Sequence, residues 1–494
     1  MSLRPMFAGF LPLLLSTAAF AGESSLPDPD HYWTEAQTSL RERIEQPKRE
    51  KRAKNVILFI GDGMGISTLT AGRIYEGQKA GSDGESHDTE IDMLPFGGLV
   101  KTYTHDAQVA DSAGTATAIV TGYKTRNGVL GISGTAPRGD CRAALDNPLS
   151  TLFEQAEVEG LATGIVTTTR ITHATPAAAF AHSADRDWEA DSDLPADAKK
   201  AGCIDIARQL VEWPAGDGFE VVLGGGRENF LPTGKSDPEY AGKTGRRTDK
   251  RDLIREWQKR NKQGIYAWNS GTLADAQKIP GVALLGLFEP SHMQYELDRA
   301  KDAGGEPSLA EMTRIAIERL EQNKTGYVLM IEGGRIDHAH HAGNAARAFG
   351  DMRALDEAIK VARSMTSQDD TLIIATADHS HTLTISGYPE RGNPILGVMR
   401  SVGGEEALGK DGKPYTTLGY INGPGAVPPG ERPDPSAQNS EDEDYRQQSL
   451  VPLDAETHGG EDVAIKASGP WAHLFTGTME QNLIYHVMRH ALGF

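Results

Sequence analysis

The sequence predicts an α/β fold built on a large, mostly parallel sheet with helices on both faces. Two observations carry that prediction. Five apolar runs rich in Val, Ile and Leu recur without polar alternation, which is the pattern of strands covered on both sides. Stretches with helical spacing and clear helix starts lie between them, so strands and helices alternate along the chain.

The elements follow in order. Residues 22–54 form an N-terminal arm, charged and helix-prone over 29–52. Asn55–Ile60 (NVILFI) is the first buried strand. Ser112, in Asp111-Ser112-Ala113-Gly114-Thr115, opens a helix of small residues that can pack close to the sheet. Leu161–Thr169, Phe219–Leu223, Tyr327–Ile331 and Thr371–Thr376 are the other four strands. Ser308 with Glu311 makes a capping box for a helix through Leu320, and Asn344–Met365 forms a longer one. Residues 398–452, rich in Gly, Pro and charge, read as an irregular insertion. It interrupts a main domain of residues 55–397 that resumes at 453–494. No internal repeat or low-complexity tract is evident.

Composition bounds the function. The 494 residues are 38% hydrophobic and 24% charged, with Gly 55 and Pro 26, as expected of an ordered chain with many loops. Lys+Arg 50 against Asp+Glu 69 gives −19, which argues against nucleic-acid binding through a basic surface. A phosphorylated small molecule remains compatible, because bound metals or one arginine can reverse the local field. Residues 1–21 carry Arg4, an apolar run from Phe7 to Leu15, and Ala19-Phe20-Ala21 as a cleavage site. They read as a secretory signal peptide, and the chain as an exported protein, periplasmic or secreted, without a membrane anchor. Export makes a bridge between Cys141 and Cys203, the two cysteines, the leading reading, with two free thiols as the alternative.

Functional groups of open α/β sheets collect at the carboxyl ends of the strands. The first strand is followed by Asp62, the second by His173 and Thr175, the fourth by Glu332, Asp337, His338 and His341, and the fifth by Asp378, His379 and His381. Any one of these alone reads as a helix cap or a satisfied polar side chain. Their repetition at one sheet edge points to metals. Asp337 and His341 share a face if their segment is helical, and carboxylate with imidazole suits zinc. An all-oxygen set such as Asp62, Thr175 and Glu332 suits magnesium. His458 is a further, distant imidazole. A multi-metal hydrolase most needs this inventory, and Ser112 at a helix N-terminus is its candidate nucleophile, with a plain N-cap as the alternative. Other motifs fail. Ala110-Asp-Ser112-Ala-Gly114 lacks the first glycine of the esterase elbow, and Gly61-x-Gly63-x-Gly65 has the wrong dinucleotide spacing. Asn229 replaces the first glycine of a P-loop, and neither cysteine sits in a C-x-P-x-R context.

Taken together, NVILFIGDGMG, VADSAGTATA, TTTRITHATPAAAFAHSADR, GLFEP, IEGGRIDHAHH, TADHSHT, GYPERG and ETHGGEDV resemble the alkaline phosphatase family from about Trp33 to the C-terminus. His173 and His338 place the resemblance with the animal-type branch. It implies a three-layer sandwich with a small crown at 398–452 and a homodimer embraced by the N-terminal arm. It also implies hydrolysis of small phosphate monoesters through a phosphoserine on Ser112, with two zinc ions and one magnesium. Asp337, His341 and His458 would hold the first zinc, and Asp62, Asp378 and His379 the second. Asp62 would also reach the magnesium, with Thr175 and Glu332. Arg186 would clamp two phosphate oxygens, and His173, His338 and His381 would stand behind these groups. The branch pairs cysteines matching Cys141 and Cys203. It further carries a calcium site, matched here by Glu239, Phe288, Glu289 and Glu306, the last standing where Asp is expected. A phosphodiesterase or sulfatase of the same superfamily, and an exported protein that only sequesters metal or phosphate, are the alternatives in other classes.

Overall fold

A computed structural model describes residues 29–428 and 430–494; the expected signal peptide lies outside them. The chain divides into two units at Glu45. In the first, Pro29–Glu45 is a helix that stops before Pro47, which disfavours helical backbone in the residue preceding it.

In the second unit, ten strands make one sheet. These are β1 (Asn55–Gly61), β2 (Phe96–Lys101), β3 (Ala162–Arg170), β4 (Val221–Gly225), β5 (Ile265–Ala267), β6 (Leu284–Leu287), β7 (Tyr327–Gly333), β8 (Thr371–Ala377), β14 (Val463–Ser468) and β15 (Gly477–Glu480). Their spatial order is β15-β2-β14-β8-β1-β7-β3-β4-β6-β5. The strands from β8 to β5 are mutually parallel, while β14 runs against both β8 and β2. All five strands expected from the apolar runs are present in the parallel part. β1, β7 and β8 are buried at every position, which explains their uninterrupted Val, Ile and Leu. In contrast, β14 alternates between buried and half-buried positions.

Helices cover both faces. Leu309–Leu320 and Ala345–Met365 pack on each other and on β7. Ser112–Thr121 packs on Leu152–Val158 and on Leu483–Leu492, which reach β7 and β1 respectively. Leu309–Leu320 begins with the expected capping box, and Ala345–Met365 is capped by Asn344. Among the described residues no helix is long and apolar enough to cross a membrane. Cys141 and Cys203 form a disulfide with Cα atoms 5.9 Å apart. It sits in a small separate apolar cluster with Trp188 and Leu194.

Two small sheets complete the unit. Within residues 398–452, β11 (Leu418–Gly423) and β12 (Ser449–Pro452) pair with each other, and β10 (Leu383–Ile385) joins β11 from outside that segment. β9 (Ser380–His381) pairs with β13 (His458–Gly459), with His458 opposite His381. That two-residue ladder brings a C-terminal histidine to the end of β8.

Candidate metal centre and nucleophile

The parallel register aligns the carboxyl ends of three central strands. Gly61 at the end of β1 lies beside Gly333 of β7 and Ala377 of β8, so Asp62 and Asp378 emerge side by side. Asp62, Asp378 and His379 come together as one fully buried group. Asp378 Oδ1 accepts from the Gly63 and His379 backbone N–H groups at 3.0 and 2.9 Å. His379 Nδ1 donates to the Ser380 carbonyl at 3.3 Å, which leaves the Nε2 lone pair facing Asp62 and Asp378 at 3.3 and 3.4 Å.

Ser112 meets this group. Its Oγ lies 3.1 Å from His379 Nε2 and 3.3 Å from Asp62 Oδ1. Asp111, one residue earlier, is the N-cap and accepts from Gly114 N–H. Ser112 is therefore the first residue of the helix rather than its cap, and its hydroxyl is not used for capping. Arg186 donates to Asp111 Oδ2 at 3.0 Å and to His173 Nε2 at 3.2 Å.

A second group gathers Asp337, His341, His381 and His458. Arg335–His341 is helical, so Asp337 and His341 share a face as expected. His341 Nδ1 donates to the Glu456 carbonyl at 2.5 Å and His458 Nδ1 to the Ala110 carbonyl at 2.7 Å. Both rings therefore turn Nε2 lone pairs inward. These lie 3.2 Å apart, each 3.3 Å from Asp337 Oδ1. Two lone pairs and a carboxylate facing one another with no proton between them fit a cation of zinc type. His381 differs. Its Nε2 and Nδ1 face Asp337 and Glu456 at 2.8 and 2.5 Å, so it must donate from both nitrogens. Burial opposes the charge, but the two carboxylates override it and push this histidine up to about 9. His381 braces Asp337 and has no lone pair to offer a metal.

A third group joins Asp62, His173 and Glu332. Glu332 Oε2 accepts from Thr167 and Thr169, whereas Glu332 Oε1 and Thr175 Oγ1 are buried without hydrogen-bond partners among the described residues. Orphaned oxygens of this kind fit a hard cation such as magnesium. Electrostatics agree. Burial raises Asp62 well above the carboxylate range, and Asp378, Asp337 and Glu332 raise it further; Glu332 itself is pushed up to about 7, chiefly by burial. Asp337 is held well below its usual range against burial, by His341, His381 and His458.

Further from Ser112, Glu239, Glu289 and Asp302 converge. Glu306 is buried nearby and raised to about 8 by burial and then by Glu289. Glu239 Oε1, Asp302 Oδ2 and Glu306 Oε2 are buried without partners among the described residues. Phe288 is buried at the end of β6. His338 lies beside His173, with ring centroids 5.3 Å apart.

Asp62, Glu332, Asp337, His341, Asp378, His379 and His458, expected from sequence, thus fall into three groups, with Thr175 against Glu332. Asp111, Glu456 and Asp302 were not anticipated. The Asp-Ser pair at a helix start could have signalled Asp111. Glu456 depends on the β9–β13 pairing and Asp302 on a loop path, and neither leaves a local signal.

The alkaline phosphatase family model matches residues 53–494. The chain is 45% identical to an alkaline phosphatase of Gadus morhua over 472 residues, 94% of this chain and 97% of that protein. It is 44% identical to the human tissue-nonspecific isozyme over 498 residues, 98% of this chain and 93% of that protein. Among solved structures, the alkaline phosphatase of Thermus thermophilus superposes with a TM-score of 0.63 at 24% identity, covering 95% of this chain and 96% of that one.

Proposed function

The chain belongs to the alkaline phosphatase family, and from that premise we propose that it hydrolyses phosphate monoesters through a phosphoserine on Ser112, with two zinc ions and one magnesium. The observation that supports this reading best is Ser112 Oγ, uncapped at a helix start and in contact with both Asp62 and His379. Asp337, His341 and His458 would hold one zinc, Asp62, Asp378 and His379 the other, and Asp62, Thr175 and Glu332 the magnesium. When bound, these ions supply positive charge to the oxygens of the in-line displacement.

The side chains do the rest. Ser112 Oγ forms a bond to phosphorus as the ester oxygen departs with the alcohol, and water then cleaves the phosphoserine to free phosphate and Ser112. The Arg186 fork matches two phosphoryl oxygens and is aimed by Asp111. Backbone N–H groups at the helix start favour the developing negative charge. Calcium is assigned to Glu239, Glu289 and the Phe288 carbonyl, with Asp302 and Glu306 beside them. An exported homodimer, with the N-terminal arm embracing the partner and residues 398–452 as its crown, completes the proposal.

Ser112→Ala tests it. Turnover of a phosphate monoester should fall at least about a thousandfold while zinc and magnesium contents stay unchanged. Label from radioactive phosphate in acid-quenched enzyme should sit on Ser112; label elsewhere overturns the assignment.

A further inference from the structure

Three arginines near the nucleophile each donate to a histidine. Arg186 Nη2 lies 3.2 Å from His173 Nε2, Arg335 Nη1 3.2 Å from His338 Nδ1, and Arg170 Nη1 2.5 Å from His292 Nε2. The rings form one cluster with centroids 4.2 to 5.3 Å apart, and one nitrogen of each lies within 4.8 Å of the other two. His173, His292 and His338 are each partly exposed.

A guanidinium can only donate. The ring nitrogen it faces must hold the lone pair, and the ring proton sits on the other nitrogen. Both nitrogens of His292 face donors of Arg170, whereas His173 and His338 therefore turn an N–H group away from their arginines. This is the reverse of His341 and His458, whose protons go to backbone carbonyls and whose lone pairs face each other. Three imidazoles backed by arginines suit an oxyanion, whereas a metal would have to displace a guanidinium.

The cluster also holds more donors than acceptors. His173 Nδ1 and Arg335 Nε are buried without hydrogen-bond partners among the described residues. His292 Nδ1 faces the Arg170 backbone N–H at 3.3 Å while Nε2 faces its guanidinium. A neutral ring has one lone pair, so one of those two donors goes unmet. Charge points the same way. Arg170 is paired with Glu189 and Arg186 with Asp111, whereas Arg335 stacks on the Tyr295 ring at 3.8 Å and makes no ion pair among the described residues.

We propose that His173, His292 and His338, with Arg170 and Arg335, form a subsite for a second phosphoryl group of the same substrate, so that small bisphosphorylated molecules bind in preference to matched monophosphates. The proposal rests on the phosphomonoesterase reading in that its first phosphoryl group sits at Arg186. His292, partly exposed in the loop after β6, and Arg335, on a different element, are its test positions.

Calorimetric titration of the metal-loaded Ser112→Ala protein with fructose 1,6-bisphosphate and with fructose 6-phosphate measures the subsite without turnover. The bisphosphate should bind about tenfold more tightly, the worth of one charge-assisted hydrogen bond. Adding His292→Leu, or independently Arg335→Gln, should bring the two affinities within about twofold while leaving that for the monophosphate unchanged. Equal affinities before the second substitution overturn the subsite, as does a difference that survives both. Loss of one bound zinc on His292→Leu overturns it in favour of a metal site. Turnover of fructose 6-phosphate by the Ser112-intact enzyme tests the phosphomonoesterase reading separately, because its absence would leave the binding comparison standing.

Discussion

Asp111 shows how one residue can serve two oxygens' worth of structure. Its Oδ1 caps the Ser112–Thr121 helix by accepting from Gly114 N–H at 3.0 Å. Its Oδ2 accepts from Arg186 at 3.0 Å and from Gly128 N–H at 2.9 Å. Burial opposes its charge, but Arg186 and the two N–H groups override burial and hold it below the usual carboxylate range. Asp111→Asn keeps an oxygen for the cap and removes the ion pair. The Michaelis constant for a phosphate monoester should rise about tenfold, with a modest fall in melting temperature because Gly128 N–H loses its acceptor. Asp111→Ala, which loses both roles, should add about 1 kcal/mol of destabilisation. Steady-state kinetics beside thermal melts separate the two, and an unchanged Michaelis constant in the Asn variant would mean that Asp111 does not aim Arg186. Ser112 was legible in sequence because small residues follow it at a helix start. Asp111 was not, because a capping carboxylate and an arginine-orienting one look identical until Arg186 folds back from far along the chain.

At the scale of elements, legibility followed burial. β1, β3, β4, β7 and β8 are strands whose burial makes them continuous apolar runs, and each is found where the sequence places it. β2 (FGGLVK) carries two glycines and alternating exposure, β14 alternates, and β6 has only four residues, so none stands out as a buried run. The β9–β13 ladder is two residues long, yet it places His458 opposite His381 and so closes the Asp337 group. Site residues read from strand ends were therefore recoverable from the strands themselves, whereas His458 was grouped only through the family resemblance and Glu456, which depends on the same long-range pairing, was not assigned. The disulfide belongs to this scale as well. It ties the start of the Cys141–Asp146 helix to the residues just past the Ala196–Ala201 helix, across a sequence separation of 62. The surrounding apolar cluster is small and separate from the main core. Chain entropy puts the bridge at about 4 kcal/mol. Cys141→Ser with Cys203→Ser should lower the melting temperature and expose the Cys141–Asp146 and Ala196–Ala201 helices to proteolysis before the rest of the chain; simultaneous cleavage throughout would show that these two helices do not open separately.

Across the whole molecule, carboxylates accumulate in two places with opposite consequences. At the site end of the sheet, Asp62, Asp378 and Glu332 are buried together and all raised, a repulsion that cations relieve. Chelation should therefore lower the melting temperature, since each ion held at a hundred times its dissociation constant adds about 2.7 kcal/mol, and added zinc and magnesium should restore it. Glu157 is the contrasting case, near the other ends of the strands. It accepts from the Thr163 hydroxyl at 2.6 Å, beside the start of β3, and no metal group includes it among the described residues. Burial, with Glu220 and Asp217 adding to it, pushes Glu157 from 4.5 up to about 8. Between those two values the folded state binds more protons than the unfolded one, so stability falls as pH rises through the window, and above about 8 the full cost of the buried charge is present. Glu157→Gln removes the charge and keeps an oxygen for Thr163. Its melting temperature should match that of the parent near pH 5 and exceed it by about 1–2 °C at pH 9. Activity should not change, because the substitution lies at the opposite end of the sheet from Ser112. Paired thermal melts across that range decide the matter: a difference that does not grow with pH would mean that Glu157 carries no buried charge in the folded enzyme.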